Sequence, residues 1–156
     1  MRERAMETEI IESAVPLSES DIERIEERIG IKLPSELKMF LLKSNGGKPK
    51  PDTVCFEGEY FDSVAFFYGE EFRSYVSDLI LSTENYRDLI PGHYLPFGES
   101  LGGNVYCLSL KDEDYGAVYY WDHEMANYDG EPWEENMTKL SNALSEFIDG
   151  LHEECA

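Results

Sequence analysis

Asp122-His123-Glu124 sets three metal-ligating side chains side by side. On a strand, neighbours point to opposite faces, so Asp122 and Glu124 would share a face and His123 would not. The other histidines, His93 and His152, supply no partner at i+4. No metal centre is therefore expected. A Ca²⁺ loop needs alternating acids, a central Gly and a closing Glu. Asp112, Glu113, Asp114 and Gly116 lack that spacing and read as a hairpin loop. Gly98-Glu99-Ser100-Leu101-Gly102-Gly103 is Gly-rich, but it lacks the Lys-Ser/Thr ending of a phosphate loop and leads into a strand. There is no GxSxG nucleophile turn. Among 33 carboxylates nothing selects a glycosidase-type pair. Cys55, Cys107 and Cys155 form no CxxC, so they read as small buried thiols, with Cys155 mobile. No catalytic residue, metal or cofactor is expected, and a metal-dependent hydrolase is the least favoured reading.

The charge is more informative. Against 33 Asp and Glu stand 13 Lys and Arg, a net of −20 on 156 residues. A globule of this size exposes roughly 8,000 Å², or about one net negative charge per 400 Å². Such a surface repels nucleic-acid phosphates and anionic membranes. It favours and steers a partner with a basic face. The charge is uneven: residues 1–47 carry 7 basic and 10 acidic residues, and residues 48–156 carry 6 and 23. No Lys or Arg occurs between Lys111 and Lys139, where acids alternate with Tyr115, Tyr119, Tyr120, Trp121, Tyr128 and Trp133. Asp52 to Glu71 is a second acid-only stretch. Acids on loops keep a domain soluble. Acids interleaved with aromatics also make a protein-binding face, with carboxylates steering and rings anchoring.

The elements that would position these residues follow from periodicity. Residues 6–12 suit a short strand. Ser20 and Glu23 are spaced as a capping box, and Ile22, Ile25 and Ile29 follow at helical spacing with Gly30 as the stop. Pro34 opens a second helix with Leu37, Phe40 and Leu41 as its apolar stripe. Asn45-Gly46-Gly47 ends it through residues that tolerate positive φ, and 48–52 reads as a loop. Strands are expected at 54–56, 64–68, 105–110 and 117–122, and a helix at 74–89. Tyr94 to Phe97 reads as a short extended piece that Pro96 demotes to an edge or entry. Leu140, Ala143, Leu144, Phe147, Ile148 and Leu151 predict a closing amphipathic helix. The order gives an α+β fold, a mostly antiparallel or mixed sheet with helices packed on it. One domain over 1–156 is expected, with its core at about 18–151 and 1–12 as an N-terminal strand or tail. No apolar run reaches membrane-spanning length and no signal peptide is recognised at the start, so a cytoplasmic location is expected.

The blocks also spell a family pattern. Leu33-Pro34, Phe40, Asn45-Gly46-Gly47, Pro96, Gly102-Gly103, Trp121-Asp122-His123 and Phe147 occur in an order that resembles the SUKH superfamily, the Smi/Knr cell-wall-regulator-like family. The resemblance covers roughly 18–151. Leu37 stands where the family often has tyrosine, and Asn104 where aspartate is usual. The resemblance implies a single α+β protein-binding domain without catalysis. It implies a bacterial immunity protein that neutralises a cognate toxin, often a nuclease, or alternatively a regulatory scaffold. Within that reading the motif residues serve the fold. The loop residues Asp112, Glu113, Asp114, Tyr115, Glu124, Tyr128, Asp129, Glu131, Trp133, Glu134 and Glu135 are the expected partner contacts. Glu57, Glu59 and Tyr60 are expected as a second rim.

Overall fold

The computed structural model describes residues 8–70 and 78–155. Strand β1 (Glu9–Ile11) pairs antiparallel with β2 (Lys48–Lys50), so the expected loop at 48–52 is in part a strand. Helix α1 (Glu19–Ile29) buries Ile22, Ile25 and Ile29. Its cap is Ser18, two residues earlier than Ser20. Ser18 Oγ accepts from Asp21 N–H, and the Asp21 carboxylate accepts from Ser18 N–H, closing the box with Asp21 instead of Glu23. Gly30 then ends the helix at φ +74°.

Helix α2 (Ser35–Lys43) starts just after Pro34 and buries Leu37 and Leu41. Asn45 does not take the positive φ expected of it; only Gly46 (+66°) and Gly47 (+118°) do. Asn45 is instead a buried hydrogen-bond hub. Its Nδ2 donates to Val15 O at 2.9 Å and Glu70 O at 2.8 Å, and its Oδ1 accepts from Glu70 N at 2.8 Å.

Strands β3 (Thr53–Phe56) and β4 (Glu59–Ser63) form a hairpin that the periodicity missed. Its two-residue turn is Glu57-Gly58, both at positive φ, the geometry that suits a right-twisted hairpin. Strand β5 is only Phe66–Phe67, although Ala65 and Tyr68 N–H also bond to the next strand. Helix α3 (Leu79–Asn85) is capped by Asp78 and is shorter than the expected 74–89; positions 74–77 lie outside the described residues.

The five-stranded antiparallel sheet runs β5, then β6 (Tyr94–Glu99), β7 (Val105–Ser109), β8 (Val118–Trp121) and β9 (Met137–Ser141). The expected edge at 94–97 is thus an interior strand. Pro96 is tolerated there because the β6–β7 register shifts between Pro96 and Gly98. Leu140 belongs to β9, and α4 is only Leu144–Asp149. Leu140 fits a strand alternation as well as a helical stripe, and pairing with β8 decides it. Ala143 offers α4 no side-chain cap, so Glu36 of α2 accepts from Leu144 N–H at 2.9 Å.

Alternation gives the sheet two apolar faces. Leu95, Phe97, Tyr106, Leu108, Val118 and Tyr120 pack in the main core with residues of all four helices. Val105, Cys107, Trp121 and Tyr94 form a smaller core with Ile90 on the other face. Cys107 is a buried thiol as expected, but Cys55 and Cys155 are joined in a disulfide. Their 100-residue separation hid the pairing from the sequence.

Candidate functional site

Strand register decides which loops meet. Glu99 pairs with Val105, Val105 with Trp121, and Trp121 with Met137. The β6–β7 loop (100–104) and the long β8–β9 connection (122–136) therefore lie at one end of the sheet. Asp122-His123-Glu124 is not strand: β8 stops at Trp121 and 123–125 is a 3-10 turn. Asp122 caps that turn by accepting from Glu124 N–H. His123 N–H donates to Asn104 Oδ1 at 3.0 Å, tying the two loops together. The Asn104 amide also faces Asp62 Oδ2 at 3.3 Å. An aspartate at 104 would set two carboxylates together, so Asn104 fits the Asp62 beside it. Among the described residues no group of three or more His, Cys, Asp or Glu is arranged to hold a metal ion. No helix among them is long and apolar enough to cross a membrane.

The connection 122–136 carries its own braces. Trp133 Nε1 donates to Met125 O at 3.0 Å, Tyr128 OH to His123 O at 2.7 Å, and Asn127 Nδ2 to Glu131 O at 2.8 Å. Asn136 Nδ2 donates to Asp122 O at 2.9 Å, closing the base. The rings are thereby held while staying in solvent: Tyr128 is 58% exposed and Trp133 38%. Met125 and Leu101 are more open still, at 63% and 86%. Glu124, Asp129, Glu131, Glu134 and Glu135 are all exposed around them. Sequence reading named the rings and acids but missed Met125 and Leu101. Leu101, an apolar residue inside a Gly-rich loop, was the available signal.

A polar network joins this connection to the β7–β8 loop. Tyr94 OH donates to Glu134 Oε1 at 2.6 Å, and His93 Nε2 lies 2.7 Å from Glu134 Oε2. Lys111 Nζ donates to Tyr94 OH at 3.1 Å and lies over the rings of Tyr94 and Tyr119. Tyr119 OH donates to Asp114, which also accepts from Ser109 Oγ at 2.6 Å. Asp114 is thus turned inward on its 3-10 turn, while Asp112, Glu113 and Tyr115 stay exposed. Burial works against the Asp114 charge. The Ser109 and Tyr119 hydrogen bonds and the nearby Lys111 and Lys139 outweigh it and hold its pKa below the ordinary carboxylate value. Burial and the Glu134 hydrogen bond push the Tyr94 phenol up, keeping it a neutral donor.

The second rim is set apart. Glu57, Glu59 and Tyr60 are exposed on the β3–β4 hairpin. That hairpin packs against the main-core face through Phe61 on Tyr120 and Tyr106 OH on Ser63 O. The connection 122–136 borders the other face through Ala126, which packs on the smaller core as does Met137 at the start of β9. Asn104 links the two sides, donating to Asp62 of β4 and accepting from His123 N–H at the start of the connection. Of the motif residues, Leu33, Pro34, Pro96, Trp121 and Phe147 are buried, and Phe40 stacks edge-on to Phe67.

Comparison with known proteins agrees with this arrangement of blocks. A SPbeta prophage-derived uncharacterized protein, YokK of Bacillus subtilis (strain 168), is 27% identical over 151 residues, covering 85% of this chain and 73% of the relative. The family model described as SMI1 / KNR4 family (SUKH-1) matches residues 16–150. With the match spanning nearly all of the described fold, the chain belongs to the SMI1/KNR4 (SUKH-1) family.

Proposed function

We propose that this protein is an immunity-type binding protein that neutralises a cognate protein toxin by covering its basic surface. The observation that carries the reading is the braced connection 122–136. It offers Met125, Tyr128 and Trp133 to solvent, ringed by Glu124, Asp129, Glu131 and Glu135, in an interval without Lys or Arg. Rings held before binding lose little freedom on contact, and carboxylates around them speed encounter with a positive face. Family membership supports the same reading. A nuclease is the toxin class that fits best, because its substrate phosphates demand a basic groove. The contact is a protein-binding one in the cytoplasm, without a catalytic step.

Protection requires a complex that outlasts the toxin, about −12 kcal/mol or a nanomolar Kd. The test is co-expression with the toxin domain encoded beside this chain. Growth should be rescued, and purified chain should inhibit the toxin one-to-one. Absence of rescue, with no complex formed at micromolar concentrations, would sink the proposal. Capture of a non-toxic partner instead would mark a regulatory scaffold.

A further inference from the structure

We infer that the Cys55–Cys155 disulfide is a thiol–disulfide exchange site, through which a dithiol reductant releases the segment after α4 from β3 while the core stays folded. The segment meets β3 at one antiparallel bridge, Thr53 with His152. Thr53 N–H donates to His152 O at 2.9 Å, His152 N–H donates to Thr53 O at 3.0 Å, and Thr53 Oγ1 donates to Glu153 O at 3.3 Å. Beyond the bridge the segment bends, and the disulfide joins Cys55, two residues after Thr53, to Cys155, three residues after His152. β4 occupies one edge of β3, so among the described residues this segment is what covers the other.

Three observations make the bond addressable. Cys55 and Cys155 are only half-buried, and His152, Glu153 and Glu154 beside them are exposed, so an attacking thiolate has access. Neither cysteine belongs to the two hydrophobic clusters, so the core does not depend on the bond for its packing. The third cysteine, Cys107, is fully enclosed by the smaller core and is removed from exchange.

The chemistry balances with a dithiol of the kind found in small redox proteins or in dithiothreitol. One thiolate attacks a sulfur of the cystine, the S–S bond breaks, and the other cysteine leaves as a thiolate that takes a proton. The second thiol of the reductant resolves the mixed disulfide, so two electrons and two protons pass to this chain and the reductant ends as a disulfide. Once separated, the segment retains only the three hydrogen bonds to and from Thr53. These are weak in water, and the edge of β3 opens. The hairpin affected is the one that carries Glu57, Glu59 and Tyr60.

The test uses the full chain, oxidised and then reduced with dithiothreitol, with amide exchange as the readout. It needs no partner, so its outcome is independent of the toxin reading. Reduction should speed exchange at Thr53 and His152 by at least about tenfold and leave Tyr106, Cys107 and Leu108 unchanged. The oxidised chain, denatured without reductant, should show one reactive thiol. Cys155→Ser should reproduce the reduced pattern under oxidising conditions. Three reactive thiols after oxidation, equal exchange in the two states, or loss of protection across β7 and β8 on reduction would each overturn the inference.

Discussion

Replacing Asn45 with glycine separates two explanations of one motif. If Asn45 serves a left-handed backbone, glycine is the ideal substitute. In the structure its backbone φ is not positive, and its side chain makes three hydrogen bonds to Val15 O, Glu70 O and Glu70 N while 4% exposed. Gly69 is packed so tightly against it that a Cβ there would lie 2.4 Å from Asn45 Oδ1. Truncation removes three bonds worth about 1 kcal/mol each, leaving part-buried backbone groups unmatched. Added chain freedom from glycine costs roughly 0.5–1 kcal/mol more. The expected loss is about 3–4 kcal/mol, read as a lowered urea midpoint at unchanged m-value. At roughly 2–4 °C per kcal/mol, the Tm should fall by about 6–16 °C. Asn45→Asp, which turns Nδ2 into an oxygen facing two carbonyls, should be no better than glycine. A loss under about 1 kcal/mol for Asn45→Gly would refute the hub and restore the backbone explanation.

Two carboxylates should respond to pH in opposite senses. The folded pKa of Asp114 lies below the ordinary aspartate value of 3.8, so its stabilisation is present above that value and lost as pH falls through the folded one. Asp114→Asn should cost on the order of 1–3 kcal/mol at pH 7, and the gap to wild type should close in acid; a gap unchanged from pH 7 to pH 3 would contradict this. The pKa of Glu99 is raised by burial, with the Tyr68 hydrogen bond opposing, so its ionisation costs stability as pH rises past the ordinary glutamate value of 4.5. Glu99→Gln keeps an acceptor for Tyr68 OH and should be neutral or stabilising at pH 7; a destabilisation above about 1 kcal/mol by denaturant titration would argue otherwise.

What was legible in the sequence was local. Ile22, Ile25 and Ile29 announced α1, and the alternation in 105–110 and 117–122 announced the central hairpin of the sheet. The order of elements supplied the α+β class, and the family blocks agree with it. What failed depended on partners far along the chain. Lys48–Lys50 became a strand because β1 lies beside it, and Pro96 sits inside the sheet because a register shift absorbs its missing N–H. Leu140 left the helix for β9 because β8 needed a neighbour. For the site, the acids and rings of 124–135 could be placed on a loop by the absence of Lys and Arg and of any strand or helix periodicity there. Composition could not say that Asp114 turns inward, or that Glu57, Glu59 and Tyr60 ride on the opposite face of the sheet. Those placements follow from Lys111, Tyr119 and Tyr120, whose contacts have no local signature.

The most direct measurement is the association rate of this chain with the proposed toxin partner as salt is raised from about 20 to 500 mM, with Trp133→Ala alongside. A carboxylate-ringed surface meeting a basic face predicts at least about a tenfold fall in association rate across that range. Trp133→Ala should leave that slope intact and speed dissociation, because it removes an anchor and no charge. An association rate flat in salt, together with dissociation unchanged by Trp133→Ala, would contradict the assignment of the 122–136 surface as the binding face.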